Sequence, residues 1–188
     1  IAHQHGDIVM NHAHSRFYPP IHAFSDYWFP GEQYTTRLGE DLWYYTDQIP
    51  PEVWQIELNA QVRGVGISFL PEFGRGTDEK YRREDPGPSR ALLAACMVHD
   101  VPCSGHWIHP EAIQEVWEIY DHYWLSDANF YGYWEADCPV SVTPPLKASA
   151  YLTEDMTVTV VANLTPEPAE AALRIDGEER QVTVGARD

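Results

Sequence analysis

Cysteine is scarce and poorly placed for a framework. Cys96, Cys103 and Cys138 show no C-x-x-C spacing, and an odd number cannot all pair within one chain, so neither a disulfide scaffold nor a zinc ribbon follows. Basic residues are also few. Twelve Lys and Arg stand against 29 Asp and Glu, a formal charge of −17, and such a field repels a phosphate backbone, which excludes nucleic acid as the expected partner. No run approaches the roughly 20 apolar residues that span a bilayer, so no membrane partner is expected either. A signal peptide is absent. Ile1 opens directly on an informative segment, so the natural start is expected upstream, and a secreted or periplasmic setting is compatible with the sequence.

What the chain has in excess is aromatic surface. Seven Trp and 11 Tyr, within a hydrophobic fraction of 44%, suffice for a real core and argue against disorder. Aromatic faces fill cores, and they also pack on the apolar C–H faces of sugar rings. An acidic protein suits neutral or cationic ligands.

Periodicity divides the chain in two. Residues 1–9 read as a strand end and 10–22, rich in His and Pro, as a loop. HAFSDYWF over 22–29 reads as a buried strand stopped at Pro30-Gly31, and 33–48 as an excursion over the surface. Pro50-Pro51 opens a helical segment with Val53, Ile56 and Ala60 on one face, and Gly64 closes it. GVGISFL over 64–70 is the next strand, and the charged, Gly- and Pro-rich residues 74–88 form a loop. Ser89 is placed to cap a helix running to about His99. VPCSGHWI over 101–108 is the following strand, and Pro110 starts a helix whose Ile113, Val116, Trp117, Tyr120 and Trp124 form an inward stripe.

Strand and helix alternating with short connections predict the α/β class and a parallel sheet. A few such units cannot close a cylinder alone, so the expected fold is the C-terminal portion of a (β/α)8 TIM-type barrel. Beyond Asp127, short alternating segments separated by turns such as Asp176-Gly177 predict a small all-β, sandwich-like domain. The expected domains are 1–136 for the barrel units and 137–188 for the β-domain, divided where Pro139, Pro144 and Pro145 cluster.

In strand-helix folds the loops after the strands converge on one rim. The side chains expected there are His3, His5 and Asp7 after the first strand, Glu32 after the second, Glu72 after the third, and His106, Trp107 and His109 after the fourth. In YWFPGEQY, Pro30 stiffens the approach and Gly31 permits a tight bend, which projects Glu32 among aromatics. Desolvation there would raise its pKa toward general-acid duty. Glu72, in FLPEFGRG, repeats the Pro-then-Glu order. Two carboxylates on neighbouring strand ends are what glycoside hydrolysis ordinarily requires, so Glu32 and Glu72 are the candidate catalytic pair. Either could instead bind substrate hydroxyls or pair with Arg75. His5, Asp7, His106, Trp28 and Trp107 are the candidate sugar-binding residues, the two Trp as stacking platforms.

The pair His3-x-His5 points to one side of a strand end and could hold a metal with Asp7 or the histidines at 12, 14 and 106. No acidic residue follows His106 in the place such sites use. Hydrogen-bonding imidazoles are therefore the preferred reading, and neither metal nor cofactor is expected. Asp26 reads as a structural hydrogen-bond acceptor, His99 as a helix-end cation favoured by the dipole, and Trp134-Glu135 as a structural contact between the two domains or else as a sugar platform closing over the rim. Asn163-Leu164-Thr165 fits a glycosylation acceptor, a triplet too common to decide anything.

The run from HQHGD through DYWFPGEQY and FLPEFGRG to GYWEA, closed by VTVVANLT, resembles the C-terminal region of barrel proteins similar to glycoside hydrolase family 123, the β-N-acetylgalactosaminidase type. The resemblance implies a (β/α) barrel with accessory β-domains and a substrate-assisted retaining mechanism. In it the sugar's N-acetyl group attacks the anomeric carbon, an Asp orients that group and an adjacent Glu protonates the leaving oxygen. Here Glu40-Asp41, Glu84-Asp85 and Glu154-Asp155 have the reverse order, and Asp78-Glu79 falls in the charged loop, so no catalytic residue is carried over. The expected activity is glycoside hydrolysis on a carbohydrate substrate at the strand-end rim. A non-catalytic carbohydrate-binding barrel and a metal-dependent hydrolase using the N-terminal His cluster are the other two readings.

Overall fold

A computed structural model describes residues 6–12, 17–38, 41–73 and 85–188. The chain folds as two compact units, one of Ile1–Glu84 with Val101–Ile108, the other of Asp85–Asp100 with His109–Asp188.

The first unit is organised by a small parallel sheet. Strands β1 (Met10–Asn11), β2 (Tyr27–Trp28) and β3 (Gly66–Ile67) lie in that order, with Met10 opposite Tyr27 and Tyr27 opposite Gly66. The ladder runs past the named strands. Leu70 N–H donates to Pro30 O at 2.7 Å, Phe69 N–H to Pro102 O at 2.7 Å and Ser104 N–H to Phe69 O at 2.8 Å, so Phe69 pairs in parallel with Cys103. At the opposite end Val9 N–H donates to Asp26 Oδ2 at 2.7 Å, the structural role expected of Asp26.

Alternation sends Trp28, Ile67 and Phe69 to one face, where all three are buried with Tyr45 and Trp54. The Tyr45 ring meets Phe69 edge-on at 5.3 Å, and Trp28 packs against Phe17 and His22 at 5.4 Å each. Short pieces connect the strands: α1 (Pro19–His22), a 3-10 turn (Glu32–Tyr34), α2 (Thr35–Leu38), α3 (Tyr44–Asp47), a π-helical turn (Val53–Glu57) and α4 (Ala60–Arg63). Asn59 caps α4 through Val62 N–H at 3.0 Å, and Gly64 closes it at φ 66°.

The expected portion of a TIM-type barrel is not what forms. The parallel strands are two residues long, their connections are three- to five-residue turns of helix, and the other named strands are antiparallel. The two long helices that were to cover the parallel sheet, α5 (Gly87–Val98) and α6 (Pro110–Tyr123), fold in the second unit with antiparallel strands. Alternation of strand and helix in sequence carries no information on which sheet a helix packs against.

In the second unit β4 (Asn129–Tyr131), β6 (Lys147–Leu152) and β7 (Thr157–Ala162) form one antiparallel sheet, ordered β4-β6-β7. A second contains β5 (Val140–Val142), β8 (Ala169–Ile175) and β9 (Glu178–Val184), ordered β5-β8-β9. Ala148 and Ala150 of β6 share a core cluster with Val140 and Leu173 of the other sheet. Asn163 is fully buried. Its Nδ2 donates to Glu167 O at 2.8 Å and Gly185 O at 2.7 Å, while its Oδ1 accepts from Thr165 N–H and Oγ1. The acceptor triplet is thus a structural knot in the folded chain.

The end of α5 explains why that helix belongs here. Its last carbonyls have no partner within the helix, and side chains supply them. Ser149 Oγ donates to Val98 O at 2.7 Å, Tyr151 Oη to Met97 O at 2.8 Å, and His99 Nδ1–H to Ala95 O at 2.7 Å. His99 is fully buried, stacked on Trp134 at 5.5 Å, with Nε2 3.1 Å from the Tyr133 hydroxyl. Burial lowers its pKa to about 4 despite the Ala95 bond, and nearby Lys147 lowers it further. His99 is therefore neutral at the helix end and not the dipole-stabilised cation expected. The next residue, Asp100, is pushed up to about 6 by burial, opposed by a hydrogen bond with Tyr151. On α6 the expected stripe holds in part. Ile113 is buried and Val116 and Tyr120 are half-buried, with Ala112 beside them, whereas Trp117 and Trp124 are exposed.

Candidate functional site

Parallel pairing brings the carboxyl ends of successive strands to one edge, and this edge of the first unit holds most of the chemically capable side chains. The level at which each leaves the sheet follows from the ladder. Leu70 N–H and Pro30 O form the last bond between their two segments, and Glu32 and Glu72 each lie two residues beyond it. His106 lies the same distance beyond Ser104, the last bonded residue of the 101–108 segment, and His12 one residue beyond Asn11, which accepts from Phe29 N–H at 3.0 Å.

Gly31 makes this close exit possible. At φ 144° it sits where L side chains rarely go, and a Cβ on it would overlap the Leu70 carbonyl. Gln33 Oε1 accepts Gly31 N–H at 2.8 Å and ties the bend to the following turn. Glu32 opens that turn and stays 13% exposed.

Glu32 faces an imidazole. His12 Nε2 lies 3.2 Å from Glu32 Oε2, while His12 Nδ1 lies 2.9 Å from Phe29 O. A carbonyl only accepts, so Nδ1 is the donor to Phe29 O, and Nε2 is left facing the carboxyl oxygen, within reach to pass a proton to it or take one from it.

Glu72 is deeper, 3% exposed. Its N–H donates to the Tyr45 hydroxyl at 3.0 Å, and Tyr45 is locked between Phe69 and Phe73, whose rings it meets edge-on at 5.3 and 5.2 Å. Tyr34, two residues past Glu32, packs on Tyr44, Tyr45 and Phe69. Burial, reinforced by the Glu57 charge, raises the Tyr34 phenol well above its ordinary value, so its proton is held at any ordinary pH.

The remaining expected residues divide. His106 is exposed and shares the edge, with Nδ1 3.0 Å from Ser104 Oγ. Trp107 follows at φ 54° and is 37% exposed, which leaves part of its ring open to a ligand. Trp28 has no exposed surface, and its indole N–H has no partner among the described residues. It is a core residue and offers no platform in this structure. Asp7 is exposed but precedes β1, so it lies at the amino end of the sheet, away from the two glutamates. His5, like His3, His14, Arg75 and Asp78-Glu79, lies outside the described residues. Among the described residues no three of His, Cys, Asp and Glu converge closely enough to hold a metal ion. No helix among them is long and apolar enough to cross a membrane.

Two members of the site escaped sequence reasoning. The sequence presents His12 only as a candidate metal ligand, because the first strand reads as ending before it. Tyr45 stood in a tyrosine-rich stretch without periodicity, and its bond to Glu72 crosses 27 residues.

Residues 112–186 match the family model described as glycoside hydrolase 123, C-terminal domain. That segment holds most of α6 and all of β4 to β9, so the chain is similar to this glycoside hydrolase family in its C-terminal unit. The edge with Glu32 and Glu72 lies outside the matched segment. No curated protein and no solved structure matches the chain.

Proposed function

We propose that the carboxyl edge of the parallel sheet is a sugar site of a glycoside hydrolase-like protein, with Glu32 and Glu72 as its working carboxyl groups. The observation that carries this reading is their common offset from the Pro30–Leu70 hydrogen bond together with the imidazole on Glu32. The C-terminal match to glycoside hydrolase 123 supplies the substrate class, a carbohydrate.

Hydrolysis of an O-glycosyl bond needs a group that protonates the leaving oxygen and one that supports the anomeric centre or activates water. Glu32 is the proton donor and acceptor. With its proton it is a general acid, and without it the carboxylate is a base, with the His12 imidazole 3.2 Å away as its proton partner. Glu72, buried and held at its backbone N–H by the Tyr45 hydroxyl, is the second carboxyl group. Trp107 supplies a stacking face and His106 a hydrogen bond to sugar hydroxyls, its ring placed by Ser104.

The test is turnover of aryl glycosides by the intact protein and by Glu32→Gln and Glu72→Gln. Loss of a proton-transfer group costs about 10²–10⁴-fold, and that loss is expected for Glu32→Gln with retained folding. Undiminished turnover in both variants removes these residues from the chemistry. Binding of glycans without turnover in the parent makes the edge a gripping site only.

A further inference from the structure

Past the Glu32–Tyr34 turn the chain builds a second, shallow feature that the glutamate edge does not use. Arg37 of α2, Asp41, and Tyr44 and Gln48 at the two ends of the α3 turn line an open depression of about 350 Å³. Tyr44 and Gln48 are four residues apart, the spacing that puts two side chains on one helical face, and Gln48 N–H closes onto Tyr44 O at 3.0 Å. Asp41 is fixed from within. Its Oδ1 accepts Trp43 N–H at 2.9 Å, which leaves Oδ2 for another partner, and its N–H reaches Arg37 O at 3.2 Å.

The hydrogen-bonding capacity of this group is unspent. Among the described residues the Arg37 guanidinium, the Tyr44 hydroxyl and the Gln48 amide have no hydrogen-bond or ion-pair partner, and Arg37 and Asp41 do not pair with each other although they line the same depression. A cation and an anion that share a wall without joining leave room for something that satisfies both. An anionic ligand would meet Asp41 and a cationic one Arg37. A neutral polyol meets neither objection, because each hydroxyl both donates and accepts. Neighbouring hydroxyls can donate to Asp41 Oδ2 while they accept from Arg37 and Gln48. The Tyr44 ring adds the apolar surface against which a pyranose C–H face packs. The volume lies at the small end of ligand pockets, which run from about 300 to 1,000 Å³, and suits a single ring.

We propose that this depression is an outlying subsite for one neutral sugar unit of a glycan, held by Arg37, Asp41, Tyr44 and Gln48. The proposal takes its substrate class from the sugar-site reading above, and its place from the depression alone. Continuity supports the link. The turn that carries Glu32 runs directly into α2, and its Tyr34 ring lies 6.1 Å from Tyr44, so the edge and the depression are carried by one excursion of chain after β2.

The test uses the intact protein on an array of immobilised neutral, uronic-acid and free-amino oligosaccharides, with Tyr44→Ala, Arg37→Gln and Glu32→Gln beside the parent. Binding of a neutral oligosaccharide is expected, weakened at least about tenfold in Tyr44→Ala and in Arg37→Gln. Arg37 is exposed, so its variant keeps the test valid should Tyr44→Ala fail to fold. Preference for charged glycans, or neutral binding that survives both substitutions, overturns the proposal. Neutral binding lost only in Glu32→Gln overturns the subsite and leaves the edge site standing. Turnover of aryl monosaccharides without retention of any oligosaccharide does the same.

Discussion

The adjacent residues His99 and Asp100 should give the second unit two large acid responses of opposite sign that nearly cancel each other. His99 titrates at about 4 folded against 6.5 as a free side chain. Between those values the unfolded chain binds a proton that the folded one refuses, so its contribution is fully present above pH 6.5 and is lost as pH falls toward 4. At about 1.4 kcal/mol per pH unit the loss is about 3 kcal/mol. Asp100 titrates at about 6 folded against 3.8 free. The folded chain now binds the extra proton, so its contribution is fully present below 3.8 and is lost as pH rises through 6, again about 3 kcal/mol. From pH 6 to 4 the two slopes oppose each other. Two groups act at the same place: Lys147 lies near His99, and the Tyr151 phenol, which burial holds well above its ordinary value, stays protonated beside Asp100.

Single substitutions should uncover each slope. Relative to the parent, Asp100→Asn should lose about 3 kcal/mol of unfolding free energy between pH 6.5 and 4, and His99→Gln should gain about as much over the same interval. Taking differences removes the background titration of the other carboxylates. Urea unfolding read through the 19F resonance of 5-fluoro-Trp134 is suitable, because Trp134 stacks on His99 and reports this unit alone. Difference curves that stay flat from pH 4 to 7 in both variants would refute the opposed-titration account.

Three further outcomes follow from the packing. Gly31→Ala should destabilise the first unit by about 3 kcal/mol or more, since the new methyl overlaps the Leu70 carbonyl, whereas Gly64→Ala, with open space around it, should cost about 1 kcal/mol; thermal unfolding of both compares them. Tyr151→Phe strips Met97 O and the Tyr120 hydroxyl of a buried partner and should cost about 1–3 kcal/mol by urea titration, with Ser149→Ala similar through Val98 O. Asn163→Ala removes a side chain that serves four protein groups and should cost about 2–4 kcal/mol; loss below 1 kcal/mol would show that the knot is dispensable.

Local punctuation was legible in the sequence and long-range packing was not. Pro30-Gly31 and Pro71 mark segment ends because Gly and Pro act on their own backbone, and the stop at Gly64 and the start at Pro110 were readable for the same reason. Strands of two residues have no period to detect. β1 was therefore expected before Met10, which put Asp7 at the wrong end of the sheet and hid His12. The α6 stripe shows the complementary failure. Helical spacing places Ile113, Val116 and Tyr120 inward, as they are, but Trp117 and Trp124 at the same spacing stay exposed while the small Ala112 is buried. His99 looked like a cation at a helix end because its real partners, Tyr133 and Trp134, come from beyond the next helix. Barrel closure failed for the same reason: which sheet α5 and α6 cover is decided by contacts such as Ser149 with Val98, 51 residues apart.

The candidate site depended on both kinds of information. Each glutamate was conspicuous beside its proline, yet their usefulness as a pair rests on register, and register is a property of two segments together. A slip of one residue between the Pro30 and Leu70 segments would turn Glu72 to the other face of the sheet. The close approach of Gly31 to the Leu70 carbonyl opposes that slip, because only at this pairing does a residue without a Cβ meet the crowded point. Gly31 therefore does more than release Glu32 into a turn. It fixes the pairing that sets Glu32 and Glu72 at equal offsets from the Pro30–Leu70 bond, so that a substitution tolerated by folding at Gly31 would still be expected to shift one residue against the other and weaken the proposed chemistry.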